Sequence, residues 1–128
     1  MNRMRLHIGD RSCSIDLLEN DAPKSCAGLK AVLPLRTILG HAKFAGDEVI
    51  FMVPRLFERE NIVNSVSPGD VGYYPDRQTI CIFYGGIVPF AQVGLVGRVS
   101  DGLEVLRDIA PAIWAEPRFI DITYEVQP

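Results

Sequence analysis

The chain has 128 residues, of which 48% are hydrophobic and 23% are charged. This composition is typical of globular proteins and excludes an intrinsically disordered chain. The length falls within the usual range of one domain, so we expect a single domain over residues 1–128. The formal net charge of −3 provides no broad positive surface for phosphate groups, and we therefore expect no nucleic-acid partner.

The start of the chain carries no pattern typical of a targeting or membrane segment. Charged residues interrupt every stretch that could form the apolar core of a signal peptide, at Arg3, Arg5, Asp10 and Arg11. No segment approaches the roughly 18 apolar residues of a membrane span. We therefore expect a cytoplasmic protein with no membrane partner.

The cysteines are odd in number and widely spaced, at Cys13, Cys26 and Cys81. They form no Cys-x-x-Cys pair and have no histidine at ligand spacing, which argues against a disulfide framework and against a zinc site. We interpret them as buried, reduced thiols, and we expect neither a metal nor a cofactor.

Apolar and polar side chains alternate in much of the chain, a period typical of strands with one buried face. This pattern predicts eight strands, over residues 4–8, 13–17, 37–44, 48–53, 71–74, 79–84, 91–99 and 120–126. Among the turns between them are Gly9-Asp10, Ala45-Gly46-Asp47 and Ser67-Pro68-Gly69-Asp70. Eight strands can close an antiparallel sheet into a barrel filled by side chains, so we predict a mainly β fold of that kind.

Two segments have the pattern of short helices that cover the open ends of the barrel. The first is predicted over residues 23–33, with proline in its first turn and Asn20 or Asp21 as its cap. The second is predicted to begin at Asp101, with a glutamate three residues later as in a capping box, and to end at Pro111. Their predicted apolar faces comprise Cys26, Leu29 and Leu33 in the first helix and Leu103, Leu106 and Ala110 in the second.

Several short motifs occur in the same order as these elements. Asp21-Ala-Pro-Lys24 introduces the first helix, Ser67-Pro-Gly-Asp70 begins a strand, and Val96-Gly-Arg-Val99 precedes Asp101-Gly-Leu-Glu-Val105 at the second helix. In these motifs the chain resembles the cyclophilin-like domains, especially the bacterial and archaeal families of uncharacterised function. The resemblance spans nearly the whole chain and implies a closed eight-stranded cyclophilin-like β-barrel with two capping helices.

The resemblance also allows the residues of this chain to be compared with those of prolyl isomerases. In the isomerases of this fold an arginine bonds the prolyl carbonyl, while a histidine and aromatic residues form the proline pocket. In this sequence Lys43 lies near the position of that arginine, and Val93 lies at the position of that histidine. An ammonium group cannot reproduce the planar, forked donors of guanidinium. We therefore expect no efficient isomerase activity, with a divergent isomerase as the alternative.

Candidate ligand contacts follow from the predicted hairpin and from the groove that the resemblance implies. Lys43 and Glu48 flank a tight turn and could face each other, either as a ligand clamp or as an ordinary surface ion pair. The loop over residues 54–66 is long for a barrel connection and could fold over a groove or hold a short amphipathic turn. The candidate ligand-binding residues are Lys43, Glu48, Arg55, Tyr74 and Phe83.

The remaining chemistry-bearing residues have ordinary interpretations. His7 and His41 lie on different predicted strands, and we interpret both as structural strand residues. Trp114 is interpreted as a core residue, with an oligomer contact as the alternative. The leading hypothesis is a barrel that binds a small metabolite or short peptide. A structural module that forms a homo-oligomer through Trp114 and the long loop is a further alternative.

Overall fold

The computed structural model describes residues 2–43, 46–87 and 92–127. Residues 44 and 91, each at the end of a predicted strand, and residue 45, in a predicted turn, lie outside the described residues. The elements in chain order are β1 (Arg3–Ile8), β2 (Arg11–Leu17), α1 (Pro23–Val32), β3 (Leu35–His41), β4 (Gly46–Met52), β5 (Ile62–Val63), β6 (Asp70–Tyr74), a short 3₁₀ turn (Pro75–Arg77), β7 (Thr79–Ile87), β8 (Val93–Asp101), α2 (Leu103–Ala115) and β9 (Arg118–Glu125).

The strands form a closed antiparallel barrel. Its order is β2-β1-β9-β3-β4-β7-β6-β8, and pairing of β8 with β2 completes the circle. The two-residue strand β5 adds to the edge of β8 outside this circle, where Ile62 pairs with Gly94. The predicted eight-stranded barrel with two helices is therefore confirmed, and β5 is an addition that the sequence pattern did not predict. Within the described residues, no helix is long and apolar enough to cross a membrane.

The main core fills the inside of the barrel with apolar side chains from every strand of the circle. Its fully buried members include Leu6, Ile15, Leu39, Phe51, Tyr73, Ile82, Val96 and Ile122. All three cysteines are buried with free thiols, as predicted. Burial raises the pKa of Cys13 and of Cys26 to about 12, so both thiols stay protonated near neutral pH.

Helix α1 lies against the core but is not capped as predicted. Its N-cap residue is Ala22, no side chain caps its first turn, and Pro23 occupies the first helical position. The prediction of Asn20 or Asp21 as the cap was therefore wrong. A proline in the first turn has no N–H that needs a partner, which lowers the cost of an uncapped start. Burial of Leu29 in the core stabilises this short helix through packing.

Helix α2 (Leu103–Ala115) differs from the prediction at both ends, since it begins later than Asp101 and continues past Pro111. It begins behind Gly102, which has a positive φ of 91°, and Asp101 instead pairs with β2 as the last residue of β8. Pro111 lies inside the helix rather than at its end. Ala110 and Ile113 on the two sides of the proline are both buried in the core. We attribute the continuation of the helix past Pro111 to this packing, which offsets the loss of the hydrogen bond that a proline removes.

The long loop before β6 is anchored between the barrel and α1. Phe57 stacks on the buried ring of Tyr73 with ring centres 4.1 Å apart, and its backbone N–H donates to the Tyr73 hydroxyl over 3.1 Å. A Cβ atom at Gly28 would lie 2.6 Å from the Phe57 ring, so this close approach requires glycine. The carboxylate of Glu60 accepts a 2.7 Å hydrogen bond from the backbone N–H of Ser25. The loop is therefore a fixed part of the fold.

Truncating Phe57 tests the importance of this anchor. We expect Phe57→Ala to lower the free energy of unfolding by about 2–4 kcal/mol, because it removes a stacked ring and leaves a cavity beside Tyr73. Leu56→Ala is the matched control, since Leu56 is exposed and should contribute less than about 0.5 kcal/mol. Urea unfolding followed by circular dichroism measures both variants. Equal effects of the two substitutions would contradict the anchoring role.

Candidate functional site

The sheet formed by β4, β7 and β6 is covered on both faces. Side chains alternate along β4, so that Val49 and Phe51 belong to the main core while Glu48 and Ile50 point to the outer face. On that outer face a second apolar cluster consists of Tyr74, Cys81, Phe83 and Val93. A charged residue in such a position is unusual, because buried carboxylates are rare unless they are paired.

A cavity of about 200 Å³ lies on this outer face, next to the second cluster. Its walls include the apolar residues Ala42 and Ile50. The chemistry-bearing side chains that line it are His41, Lys43, Glu48, Tyr74, Arg77 and Cys81. We call this space the Glu48 cavity. Lys43 and Arg77 are exposed, whereas Glu48 and Tyr74 are buried. The charged ends of the two basic residues are therefore close to solvent, and the carboxyl group is not.

Glu48 is the most unusual residue of the cavity. It is only 2% exposed, and its Oε2 atom has no hydrogen-bond partner among the described residues. Burial raises the pKa of Glu48, and a hydrogen bond with Cys81 offsets part of that increase. Burial raises the pKa of the Cys81 thiol as well, and the neighbouring Glu48 adds to that increase. Both shifts favour the protonated, uncharged forms of the Glu48 carboxyl and the Cys81 thiol.

Lys43 does not pair with Glu48 across the hairpin. Its ammonium group donates a 2.8 Å hydrogen bond to the backbone carbonyl of Trp114 and lies 4.8 Å from the centre of the Trp114 ring. No ion pair joins the described side chains of Lys43 and Glu48, so the interpretation of a surface ion pair was wrong. The reason is that Glu48 is buried on the outer face of β4, while Lys43 lies beyond the end of β3 and reaches α2.

His41, at the end of β3, was interpreted as an ordinary strand residue, but it lines the Glu48 cavity. Its Nδ1 atom lies 2.5 Å from the carbonyl oxygen of Ala42 and its Nε2 atom lies 2.6 Å from the Tyr84 hydroxyl. A carbonyl oxygen can only accept, so Nδ1 carries the hydrogen of this bond. In the neutral ring Nε2 then accepts from the Tyr84 hydroxyl, and the raised pKa of Tyr84 keeps that hydroxyl protonated.

A second cavity of about 430 Å³ shares His41 with the first and lies between the barrel and α2. Asp47, Tyr84, Pro111 and Trp114 also line it. Trp114 is 44% exposed and its ring contacts His41 with centres 4.8 Å apart. The interpretation of Trp114 as a core residue was therefore wrong. The helix continues past Pro111, which places Trp114 beside His41 and Lys43 instead of inside the barrel.

The five candidate ligand-binding residues are distributed unevenly. Lys43, Glu48 and Tyr74 line the Glu48 cavity together. Phe83 is fully buried in the second cluster, Arg55 is exposed on the long loop, and neither is among the residues that line the cavity. Sequence reasoning missed His41, Arg77 and Thr79, which line the cavity without a motif that distinguishes them from ordinary strand and turn residues. Within the described ranges, no group of three or more His, Cys, Asp or Glu residues could hold a metal ion.

The buried Glu48 makes the stability of the protein depend on pH. Because its pKa is raised in the folded state, the folded protein binds this proton more tightly than the unfolded chain does. This contribution to the free energy of unfolding is present at acid pH and is lost as the pH rises through the raised pKa. We expect Glu48→Gln to be more stable than the wild type near pH 8 and to lose this advantage near pH 4.

Urea unfolding across this pH range measures the difference between Glu48→Gln and the wild type. Glu116→Gln is the matched control, because Glu116 is exposed and should leave the pH dependence of the wild type unchanged. A Glu48→Gln variant that is destabilised equally at both pH values would contradict the assignment of a costly buried acid.

Comparison with solved structures supports the barrel fold. The protein described as McbB in complex with tryptophan superposes with a TM-score of 0.82 at 17% identity, covering 98% of this chain but only 45% of McbB. The solution structure of the hypothetical protein AF2241 from Archaeoglobus fulgidus gives a TM-score of 0.70 at 24% identity, covering 94% of this chain and 92% of that one. At these identities the likeness establishes the fold alone.

Sequence comparison identifies the family. No curated protein sequence matches the chain significantly. The sequence profile of the family described as Cyclophilin-like, however, matches residues 2–112, which is most of the chain. The resemblance inferred from the motifs is therefore confirmed, and the chain belongs to the cyclophilin-like family.

Proposed function

We propose that this barrel binds a small metabolite or short peptide in the Glu48 cavity and lacks efficient prolyl isomerase activity. The observation that carries this proposal is the buried Glu48 with an unpartnered Oε2 atom. A buried acceptor without a partner costs about 1–3 kcal/mol. A bound molecule that donates a hydrogen bond to this oxygen would recover that free energy.

The walls of the cavity support the same function. Ligand sites are concave and mostly apolar, with a few polar groups that fix the orientation of the ligand. Here Ala42 and Ile50 provide apolar surface, while Glu48 provides a buried polar group and Arg77 an exposed one. A fold that keeps an acid in an apolar cluster loses stability there, which is characteristic of residues retained for function.

The similarity to McbB is consistent with this proposal. That protein was solved with tryptophan, a small molecule. A barrel of this fold can therefore belong to a protein that binds a ligand of metabolite size. The present chain spans less than half the length of McbB, so the inference concerns small-molecule binding in general and does not extend to the rest of that protein.

The positions that the resemblance aligned with isomerase residues argue against that activity. The Lys43 ammonium group is bound to the Trp114 carbonyl and faces the Trp114 ring. Val93 is fully buried in the second apolar cluster, where a substrate cannot contact it. Val93 has no side-chain donor, and the Lys43 ammonium group lacks the planar, forked donors with which the isomerases of this fold bind the prolyl carbonyl.

An isomerisation assay on Xaa-Pro peptides tests this part of the proposal. We expect the wild type to leave the slow uncatalysed rate unchanged, with no difference between the wild type and Lys43→Ala. A known prolyl isomerase serves as the positive control in the same assay. A rate enhancement that disappears in Lys43→Ala would instead support a divergent isomerase.

A ligand screen by thermal shift tests the binding function and its location. We expect some metabolites or short peptides to raise the melting temperature of the wild type, since a ligand that binds only the folded state stabilises it. Ala42→Leu should weaken the binding of those ligands at least tenfold, because the larger side chain enters the cavity that Ala42 lines. Ala31→Leu, on the exposed side of α1, is the matched control and should leave binding unchanged.

Two outcomes would count against binding at this site. A screen across metabolites and peptides that finds no stabilisation would remove the proposed function. Ligands that bind Ala42→Leu as tightly as the wild type would place the binding site elsewhere on the barrel. Because Ala42→Leu fills existing space instead of a packed core, we expect the variant to stay folded.

A further inference from the structure

We propose that the Glu48 cavity takes the ammonium group of an organic amine, and that Glu48 gives up a proton when this group binds. The inference rests on the proposed function, because it names the class of ligand for the same site. It goes beyond that function by assigning Glu48 a specific partner and by coupling binding to proton release.

The hydrogen bonds available to Glu48 favour a donor from the ligand. The carboxyl group interacts with Cys81, and its Oε2 atom has no partner within the described part of the chain. An ionised carboxylate can only accept hydrogen bonds, whereas an ammonium group only donates them. Charge-assisted bonds of this kind are about twice as strong as bonds between neutral groups. The open oxygen atom therefore matches a positively charged nitrogen better than a hydroxyl or an amide.

No positively charged side chain among the described residues forms an ion pair with Glu48, so a cationic ligand could provide that partner. None of the salt bridges between described residues includes Glu48. The ammonium group of Lys43 bonds the Trp114 carbonyl, on the side of α2. Both Lys43 and Arg77 are exposed, so water and salt screen their repulsion of an incoming cation. The buried carboxyl is not screened in this way, which makes its interaction with a bound cation the stronger one.

The aromatic wall of the cavity adds to this preference. Tyr74 lines the cavity and is only 6% exposed. The face of an aromatic ring attracts cations, and the attraction increases when water is excluded. The apolar Ile50 side chain lines the same cavity and provides a surface for the carbon skeleton of an amine. The cavity thus combines an acidic group with aromatic and apolar walls, which favours an ammonium group attached to an apolar carbon skeleton.

The proton balance of the binding step follows from the burial of Glu48. In the empty cavity burial favours the protonated carboxyl, since it raises the pKa of Glu48. An incoming ammonium ion stabilises the carboxylate instead. The O–H bond of Glu48 breaks, its proton passes to the solvent, and an N–H of the ligand donates to the freed oxygen. The ligand stays an ammonium ion throughout, so each bound amine releases up to one proton.

The other titratable groups that face Glu48 must be separated from this effect. They are His41 and Lys43 near the end of β3, Tyr74 on β6, Arg77 in the 3₁₀ turn and Cys81 on β7. Burial raises the pKa of both Tyr74 and Cys81, so both stay protonated near neutral pH. Histidine is the other residue type that commonly changes charge between about pH 5 and 8. A variant of His41 is therefore the necessary control.

Titration calorimetry with two matched probes tests the inference. Phenethylamine and phenethyl alcohol share one carbon skeleton and differ in the ammonium group. We expect phenethylamine to bind at least tenfold more tightly than the alcohol near pH 8. Its affinity should rise by up to about tenfold per pH unit below the Glu48 pKa, as expected for the release of one proton. Repeating the titration in buffers of different ionisation enthalpy counts the released protons directly.

Variants assign the released proton to its source. In Glu48→Gln, which keeps the shape of the side chain, we expect amine binding to weaken at least tenfold and its pH dependence to disappear. His41→Asn should keep the pH dependence, and so should the surface control Glu116→Gln. The melting temperature of each variant shows whether it is folded before its binding is interpreted.

The outcomes separate this inference from the proposed function. Equal affinities for phenethylamine and phenethyl alcohol would overturn the ammonium assignment. Amine binding without proton release would overturn the coupling to Glu48. Both outcomes would leave small-molecule binding in place. Loss of proton release in His41→Asn but not in Glu48→Gln would overturn the role of Glu48. If neither the probes nor any compound in the thermal screen binds, both the inference and the proposed function fail.

Discussion

The alternation of side chains along β4 determines both the core and the candidate site. Val49 and Phe51 face the inside of the barrel, which forces Glu48 and Ile50 to the opposite face. In most barrels that opposite face meets solvent. Here Val63 and Val66 pack against the second apolar cluster on that face. One geometric rule therefore fills the core and also places an acid in an environment with few partners.

The two helices and the long loop convert a simple barrel into one with sheltered surfaces. The Phe57 contact with Tyr73 fixes the loop against the main core, and the same loop continues into β5 on the edge of β8. At the other side, α2 bonds to the barrel through Lys43 and through Arg107, whose side chain donates to the Tyr84 carbonyl over 3.0 Å. His41 lies between the two cavities that result. Their common wall is therefore held by hydrogen bonds and not by packing alone.

Most of the fold could be predicted from the sequence because its signals are local. Alternation predicted every strand of the barrel, and the turn at Ser67-Pro68-Gly69-Asp70 appears with Gly69 at a positive φ of 97°. The end of α2 could not be predicted in this way. Pro111 is a local signal for the end of a helix, but burial of Ile113 outweighs it. Packing against the barrel is a property of the folded chain and leaves no local signal.

The candidate site was only partly predictable, for a related reason. The sequence indicated Glu48 as a candidate because it flanks a tight turn, but the surface ion pair with Lys43 would have left its side chain exposed, whereas it is buried. The apolar cluster next to it is covered in part by Val63 and Val66, which are distant from Glu48 in sequence. The position of His41 beside Trp114 depends in turn on the last turn of α2. Arg77 lies in the short turn at Pro75–Arg77, and the residues of that turn indicate a change of direction but not a contribution to a cavity. Where the site is made by contacts between distant segments, the sequence alone predicted three of its residues, Lys43, Glu48 and Tyr74, but neither the remaining ones nor the contacts between them.

The position of β9 has a consequence for how the protein is made. This strand lies between β1 and β3, so the first strand of the barrel cannot complete its pairing until residues 118–125 have been synthesised. Until then the growing chain exposes two unpaired strand edges on the ribosome, which are sites of aggregation. Closure through such distant segments also slows folding, because the entropy of a long loop is lost before the contacts form. The family profile ends at residue 112, before this strand, and a chain cut there would lack the strand that completes the barrel.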